Sequence, residues 1–465
     1  MAISSIGVGS GLPLDDLLAK LRASENQSLK LIESRASTVQ SRLSAYGTIK
    51  SSIEALKTAG DALAKPETFG ALKTSVGGDA FTATATSKAI AGQYSIKVEQ
   101  LATAQTLTTT GQADRKLALS SDSVDITITL QNGKSKTIKV DKADTSMEGI
   151  VKAINAESDL GVSATLVNSG SGATPHHLLL TAKATGTQAA VASITVSGAD
   201  AGGVQDLIGF DAGNPGTNFT EEAAKIAKLS INGIAIESQG NTVEGAIEGV
   251  TLTLAKETEV GKANNLSLTR DDEVTSKAIN TFVTAYNNLQ NIIKTLSSYD
   301  VDSQKGSALT GDTLARSVQS QVRAALNTAE SSGALRNLSQ MGITTNPSDG
   351  VLKVDSAKLA AALKDNMVDV QKLFAGDKGI SARIAAVADR YAKSDGLISS
   401  ATESMTDTIK ELEKQYNAMS ERIDAKMETY RQQFVQLDTM MVQMNSVSSY
   451  LTQQLAMLSN LSKEK

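Results

Sequence analysis

Toward the end of the chain an apolar residue returns at every seventh position: Ile409, Tyr416, Ile423, Tyr430, Leu437, Met444, Leu451 and Leu458. Three residues after most of these comes a second row, Leu412, Met419, Met440, Val447 and Leu461, interrupted by Lys426, Gln433 and Gln454. The spacing predicts one helix with a heptad seam. No Pro or Gly follows Gly396, so a continuous helix of about 50 residues, roughly 75 Å long, is expected. Covering a seam residue contributes about 1.5 to 3 kcal/mol, whereas fixing each backbone residue costs about 1 to 2 kcal/mol. A single stripe is therefore expected to become ordered only when a second helix, from this chain or another subunit, covers it. The polar seam positions fit that expectation, because they select register and partner number at some cost in stability.

The opposite end supplies a candidate partner. An apolar stripe runs through Leu18, Leu21, Leu29, Ile32, Val39, Leu43, Tyr46, Ile49, Ile53 and Leu56, mostly at intervals of three and four. It predicts a long amphipathic helix, with Asp15 and Asp16 near its start complementing the helix dipole. From Phe81 the period changes to two. Phe81 to Ala85 and Tyr94 to Val98 alternate and are rich in β-branched residues, as strands are. Ile126, Ile128 and Leu130 alternate up to Asn132-Gly133, and Ile138 and Val140 resume beyond it, which is a hairpin signal. Ser146 is placed to cap a short helix with Met147, Ile150, Val151 and Ile154 on its apolar face. Strands are expected around Val162 to Val167, Leu178 to Leu180 and Ile194 to Val196, then a loop through Gly202, Gly203, Gly213, Pro215 and Gly216. A hairpin at Asn232-Gly233 and a strand from Val250 to Leu254 follow. Helical spacing returns at Asp272, with faces through Phe282 and Leu289, through Val318 and Val322, through Leu359 and Leu363, and through Ile384 and Tyr391.

These elements predict an α+β multidomain fold: long terminal coiled-coil helices and a helical bundle formed by both chain ends, with two inserted β-rich domains. The boundaries expected are an N-terminal leg, 1–42; a discontinuous helical bundle, 43–75 plus 272–400; a β-rich domain, 76–115 plus 222–271; an inserted β-rich domain with a short helix, 116–221; and a C-terminal leg, 401–465.

Composition narrows the chemistry. The chain has 465 residues, 3% aromatic, no Trp and no Cys, so large cores, disulfides, thiolate zinc sites and cysteine nucleophiles are not expected. A formal charge of −5 with scattered Lys and Arg argues against nucleic acid or an anionic membrane as partner. No apolar run reaches the length of a membrane span, and the start lacks a secretory signal, so on these grounds alone the chain reads as cytoplasmic. His176 and His177 are adjacent after Pro175, in what reads as a polar loop; neighbours on an extended segment point apart, so no shared metal is expected. Gly7-Val8-Gly9-Ser10-Gly11 has the glycines of a phosphate cradle without the preceding strand or the lysine. Asp300-Val301-Asp302 begins like a calcium loop, but Lys305 stands where Gly is needed and Gly311 where the closing Glu is needed. Asp271-Asp272-Glu273 reads as a helix start. No cofactor, metal or catalytic residue is expected. Met440, Met441, Met444 and Met457 crowd the terminal helix; thioethers at helical spacing are commonly core, and they also suit a surface that repacks.

The C-terminal segment Gln436-Leu437-Asp438-Thr439-Met440-Met441, continuing Met444-Asn445-Ser446-Val447-Ser448-Ser449-Tyr450-Leu451-Thr452-Gln453-Gln454-Leu455, closely resembles the end of the bacterial flagellar filament-capping family, the hook-associated protein 2 family. Gly7 to Leu12 is similar to that family's opening, and Val98 to Gln105 to the end of its first strand. Leu229 to Gly233, Asn241 to Val243 and Gly249 to Leu252 resemble the opening of its C-terminal region. Asp144 to Asn155 looks like the small Ile-Asn motif of flagellar axial proteins. The match runs in order along essentially the whole chain.

The resemblance implies a non-enzymatic structural protein, exported unfolded through the flagellar type III exporter and secreted to the filament tip. There it would form a ring-like homo-oligomer beneath which flagellin folds and inserts. Hook-filament junction proteins and a flagellar export chaperone are the further partners implied. On this reading the heptad row from Ile409 to Leu458 is the coiled-coil surface for oligomer and flagellin contacts, and Met440, Met441, Met444, Leu451 and Leu455 are the candidate chaperone contact. The alternative from another class is a secreted coiled-coil adhesin recognising a host surface, which an exposed aromatic pocket in the β lobes would favour.

Overall fold

A computed structural model describes residues 11–327 and 333–461. Helices run over Leu14–Glu25 (α1), Gln27–Ala64 (α2), Pro66–Phe69 (α3), Met147–Ala156 (α4), Gly202–Ile208 (α5), Asp272–Leu296 (α6), Thr313–Leu326 (α7), Ser356–Asp365 (α8), Met367–Ala375 (α9), Ile380–Ala392 (α10) and Leu397–Leu461 (α11). The architecture is α+β and multidomain. The chain divides into two compact units, one of 1–65 with 276–465 and one of 66–275. Among the described residues no helix is long and apolar enough to cross a membrane.

The 66–275 unit is built from antiparallel strands around two separate cores. In the first, a five-stranded sheet in the order Leu72–Val76, Asn264–Arg270, Gly92–Gln100, Ala227–Ile231, Ile234–Ser238 accompanies a three-stranded sheet of Thr242–Ile247, Val250–Leu254 and Phe81–Ala85. Alternation puts Phe81, Ile96, Val98, Leu229, Leu252 and Leu266 into the shared core. The Asn232-Gly233 turn forms as expected, with φ of +50° and +87°, the left-handed pair that a two-residue hairpin requires.

The second core lies among two four-stranded sheets. One holds Phe210–Asp211, Val191–Ser197, Val124–Leu130 and Ser135–Val140; the other holds Phe219–Glu222, Thr106–Thr109, His176–Ala182 and Val162–Asn168. Helix α4 packs on this core through Met147, Ile150 and Ile154, and Ser146 caps it by accepting the Gly149 N–H at 3.3 Å. The Asn155 amide closes a two-way bond with Ala164, donating to its carbonyl at 2.7 Å and accepting its N–H at 2.9 Å. That clamp gives the Ile-Asn motif a physical role: the isoleucines face the core and the asparagine fixes the helix to the next strand.

The expected loop near Gly202 contains α5. Gly202 and Gly203 open it, and Val204, Leu207 and Ile208 are buried at helical spacing. Gly203 has a reason to lack a side chain, since a Cβ there would meet the Leu119 carbonyl oxygen at 2.4 Å.

The other unit is helical. Tyr46, Ile49, Ile53, Leu56 and Leu63 of α2 are buried, as are Phe282, Tyr286, Leu289 and Ile293 of α6 and Ile384 and Tyr391 of α10. Phe282 meets Phe374 of α9 edge to face at 5.9 Å, a favoured aromatic geometry. Two buried tyrosine hydroxyls are satisfied: Tyr286 donates to the Gly350 carbonyl at 3.0 Å and Tyr391 bonds Ser317 of α7 at 2.7 Å. Gly306 and Gly350 sit in two small hairpins, Gly306 in one and Gly350 after the first strand of the other.

Candidate functional site

Both chain ends meet in one paired stem. Helix α11 packs on α2, α1 and α10, so the N- and C-terminal helices cover one another within the chain. Helices α1 and α2 abut at Asn26, which keeps right-handed helical angles, and its N–H still reaches the Arg22 carbonyl at 2.9 Å. Leu18, Leu21 and Leu29 from this side close a cluster with Tyr416, Met419, Ile423, Met427 and Tyr430 of α11. Ion pairs flank it. Lys426 donates to Glu25 at 2.5 Å and lies 5.8 Å from the Tyr430 ring centroid, and Arg22 pairs with Asp424. The hydrogen bond to Glu25 raises the Lys426 pKa, and the bond to Glu33 of α2 raises that of the Tyr416 phenol.

The covered stripe of α11 departs from the heptad row. Beyond Ile409, and apart from Ser420 beside Met419, the buried and half-buried positions run Leu412, Tyr416, Met419, Ile423, Met427, Tyr430, Phe434, Asp438 and Met441, a 4-3-4 pattern repeating every 11 residues. An 11-residue repeat keeps one face of a nearly straight helix in line, whereas a heptad row drifts about 20° per heptad unless the helices supercoil. The second row accordingly shifts from Lys426 to Met427, and the heptad row rotates out of the contact. Ile409 and Tyr416 are half-buried, Ile423 is 3% exposed and Tyr430 is half-buried, but Leu437 is 40% and Met444 60% exposed. Leu451 is also exposed. Leu458 lies in the helix with its side chain outside the described residues. Of the expected chaperone contact, Met440, Met444, Leu451 and Leu455 are exposed and Met441 is half-buried.

The two halves of α11 differ in charge as well as burial. Residues 401–434 carry twelve charged side chains, while 435–461 carry one, Asp438. In that nearly uncharged half, Leu437, Met440, Val442, Met444, Val447, Tyr450, Leu451, Leu455 and Met457 are all exposed. An exposed apolar surface of this extent marks a contact site, and its chemistry suits another amphipathic helix.

Where α2 leaves the stem, one carboxylate ties two helices through three partners. Asp312 caps α7 by accepting the Ala315 N–H at 2.9 Å. Its other oxygen accepts the Tyr46 hydroxyl at 2.7 Å and the Arg42 guanidinium at 3.0 Å. Burial alone would push Asp312 up, but the hydrogen bonds from Ala315, Tyr46 and Arg42 outweigh it and hold the carboxyl below the usual range. Burial, followed by the bond to Asp312, pushes the Tyr46 phenol far up. Sequence reading passes over this node because its members are about 270 residues apart; an Asp ahead of an apolar-periodic segment is its one local signal.

The residues weighed for chemistry are scattered. His176 and His177 open a strand instead of lying in a loop, and His177 Nδ1 bonds the Thr109 carbonyl at 2.9 Å. Asp300 binds the N–H groups of Asp302 and Ser303 in a hairpin turn. Asp272 opens α6 and accepts from Arg270 at 2.5 Å. Gly7 to Ser10 lie outside the described residues. Among the described residues no group of three or more His, Asp or Glu is placed to hold a metal. A cavity of about 380 Å³ in the β unit is lined by Gln105, Gln131, Gln188 and Glu221, among others, with no aromatic ring.

Comparison with known proteins bears on this stem-bearing architecture. Family models for the flagellar hook-associated protein 2 C-terminus and N-terminus match residues 224–446 and 10–105, and the flagellin hook IN motif matches 125–184. The chain is 40% identical over 474 residues to flagellar hook-associated protein 2 of Escherichia coli strain K12, covering 99% of each. It is 39% identical over 480 residues to that of Salmonella typhimurium, covering 97% of this chain and 98% of the relative. A crystal structure of the D1-D2-D3 domains of the flagellar cap protein FliD from Escherichia coli superposes with a TM-score of 0.70 at 37% identity, covering 78% of this chain and 99% of that one.

Proposed function

Because the chain belongs to the flagellar hook-associated protein 2 family, we propose that it caps the distal tip of the bacterial flagellar filament after export, holding exported flagellin while it folds and inserts and preventing its loss. The observation that carries the mechanism is the divided terminal helix: a charged half packed on the chain's own N-terminal helices, then a nearly uncharged half with its large apolar residues exposed. The first half anchors the leg. The second is the surface offered to other helices, and each exposed Leu or Met that becomes covered contributes about 1.5 to 3 kcal/mol. In the heptad row, Ile409, Tyr416, Ile423 and Tyr430 hold the stem, and Leu437, Met444, Leu451 and Leu458 meet subunits or flagellin.

The legs at 1–42 and 401–465, the bundle at 43–75 plus 272–400, and the β-rich domains at 76–115 plus 222–271 and at 116–221 are the division of labour within this reading. The lobes join a ring-like homo-oligomer whose base faces the hook-filament junction proteins. Before export, a chaperone covers Met440, Met441, Met444, Leu451 and Leu455, so that a sticky segment is shielded.

The experiment is complementation of a strain that lacks its cap. Full-length protein should restore filaments and motility, whereas a chain that ends at Phe434, with the anchored half kept and the apolar half removed, should fold and fail. Filament growth supported by the truncated chain would overturn the leg model.

A further inference from the structure

The chain has eleven methionines; Met1 lies outside the described residues, and the structure sorts the other ten sharply. Met147, Met341, Met367 and Met427 are buried, and Met405, Met419 and Met441 are half-buried. Met440, Met444 and Met457 are 64%, 60% and 58% exposed. All three lie in the nearly uncharged half of α11, and Met427 on the same helix provides an internal contrast, since the stem cluster covers it. A thioether reacts according to access, and its product is a polar sulfoxide that disrupts apolar contacts.

We propose that Met440, Met444 and Met457 form a peroxide-responsive modification site that switches the distal half of α11 from an apolar surface to a polar one. The sulfur lone pair attacks one oxygen of hydrogen peroxide and the O–O bond breaks. The sulfur is oxidised by two electrons; the hydroxyl it gains gives up its proton to leave the sulfoxide, and the departing hydroxide takes up a proton to leave as water. One methionine and one peroxide thus give one methionine sulfoxide and one water. Met440 and Met444 are one turn apart on the helix, so two oxidations place two S=O dipoles on adjoining patches of one face. The consequence for capping rests on the reading of this half as the contact surface; the selectivity of the chemistry does not.

The test treats full-length protein with hydrogen peroxide and follows each methionine by peptide mass mapping. Sulfoxide should accumulate at Met440, Met444 and Met457 at least about tenfold faster than at Met427, Met147 and Met341. Equal rates, or faster oxidation of the buried set, would overturn the site. In the second arm, treated and untreated protein are compared in restoring flagellin polymerisation. Wild type should lose at least about tenfold in activity and regain it after enzymatic sulfoxide reduction. The treated-to-untreated ratio for M440L/M444L/M457L should stay near one, whatever that variant's starting level. A wild type unaffected by oxidation, or a triple variant that loses as much, would refute the switch. Failure of untreated wild type to act would instead count against the capping reading, and the peptide map would still decide the modification.

Discussion

At the scale of single residues, Asp312 joins two helices of the helical unit through one buried carboxylate. One carboxylate caps α7 and receives a tyrosine and an arginine from α2. Its side chain is 7% exposed, so replacement by Ala uncovers a helix start and takes the acceptor from two donors. Losing a cap costs about 1 kcal/mol, and leaving the buried Tyr46 hydroxyl unpaired about 1 to 3 kcal/mol, while the Arg42 side chain, 43% exposed, turns to water; Asp312→Ala is expected to destabilise the unit by about 2 to 4 kcal/mol in urea unfolding. Its pH dependence has a definite sign. The folded chain keeps this carboxylate ionised to lower pH than the unfolded chain does, so its stabilisation is complete above about pH 4 and disappears as pH falls through the depressed folded value. Asp312→Asn should flatten that acid limb, and an unchanged limb would show that other carboxylates dominate it. Gly203 and Asn155 belong to the same scale: each is legible as a residue type, but neither the carbonyl against Gly203 nor the Ala164 partner of Asn155 can be read from one position.

At the scale of elements, two positions of one sequence row test what the 11-residue stripe means. Ile423 and Leu437 are equivalent by heptad position, yet the first is buried in the stem and the second is 40% exposed. Ile423→Ala should destabilise the pairing of α1 and α11 by about 2 to 4 kcal/mol, read as faster amide exchange across Leu412 to Tyr430. Leu437→Ala should alter the free chain by no more than about 0.5 kcal/mol and weaken assembly instead. Equal loss of exchange protection in both variants would mean that the heptad row, not the 11-residue stripe, is what the stem buries.

This contrast also shows how far the elements were legible. Local chemistry sufficed for the Asn-Gly hairpins, the Ser146 cap and the terminal helices, because turn geometry, capping and periodicity are set within a few residues. It missed α5, whose two glycines read as loop, and the strands at Thr106–Thr109 and Phe219–Glu222, which are short and polar and are fixed by pairing with each other. It also placed the seam in the right helix while leaving its rotation open, since rotation depends on whether the partner supercoils with it. The exposed half of α11 was legible as an apolar row. Its exposure was not, because a sequence pattern does not say where the covering helix ends.

At the scale of the whole molecule, the chain leaves its helical unit once, builds the β unit over 66–275 and returns. The discontinuity was foreshadowed by helical periods at both ends with a period of two between them, and the closure of the insert explains why it is tolerated. The two ends of the β unit are held together at its base: Thr275 donates its hydroxyl to the Thr68 carbonyl at 2.7 Å, and the Asp271 N–H reaches the Ala71 carbonyl at 2.8 Å. Strand Leu72–Val76 pairs with Asn264–Arg270 just beyond. A segment whose ends already meet, and whose two cores draw only on its own residues, needs nothing from the helices to fold. Residues 66–275 expressed alone should therefore give a cooperative thermal transition within a few degrees of the β-unit transition in the full chain. The full chain should in turn unfold in more than one step, as a molecule of separable units does. Light scattering on the same two proteins then asks where assembly resides: a ring mass from the β unit alone would assign closure to the lobes, and a monomer would assign it to the exposed end of α11. A β unit that unfolds when excised would show that closure of its base is not sufficient and that the helical unit supports it.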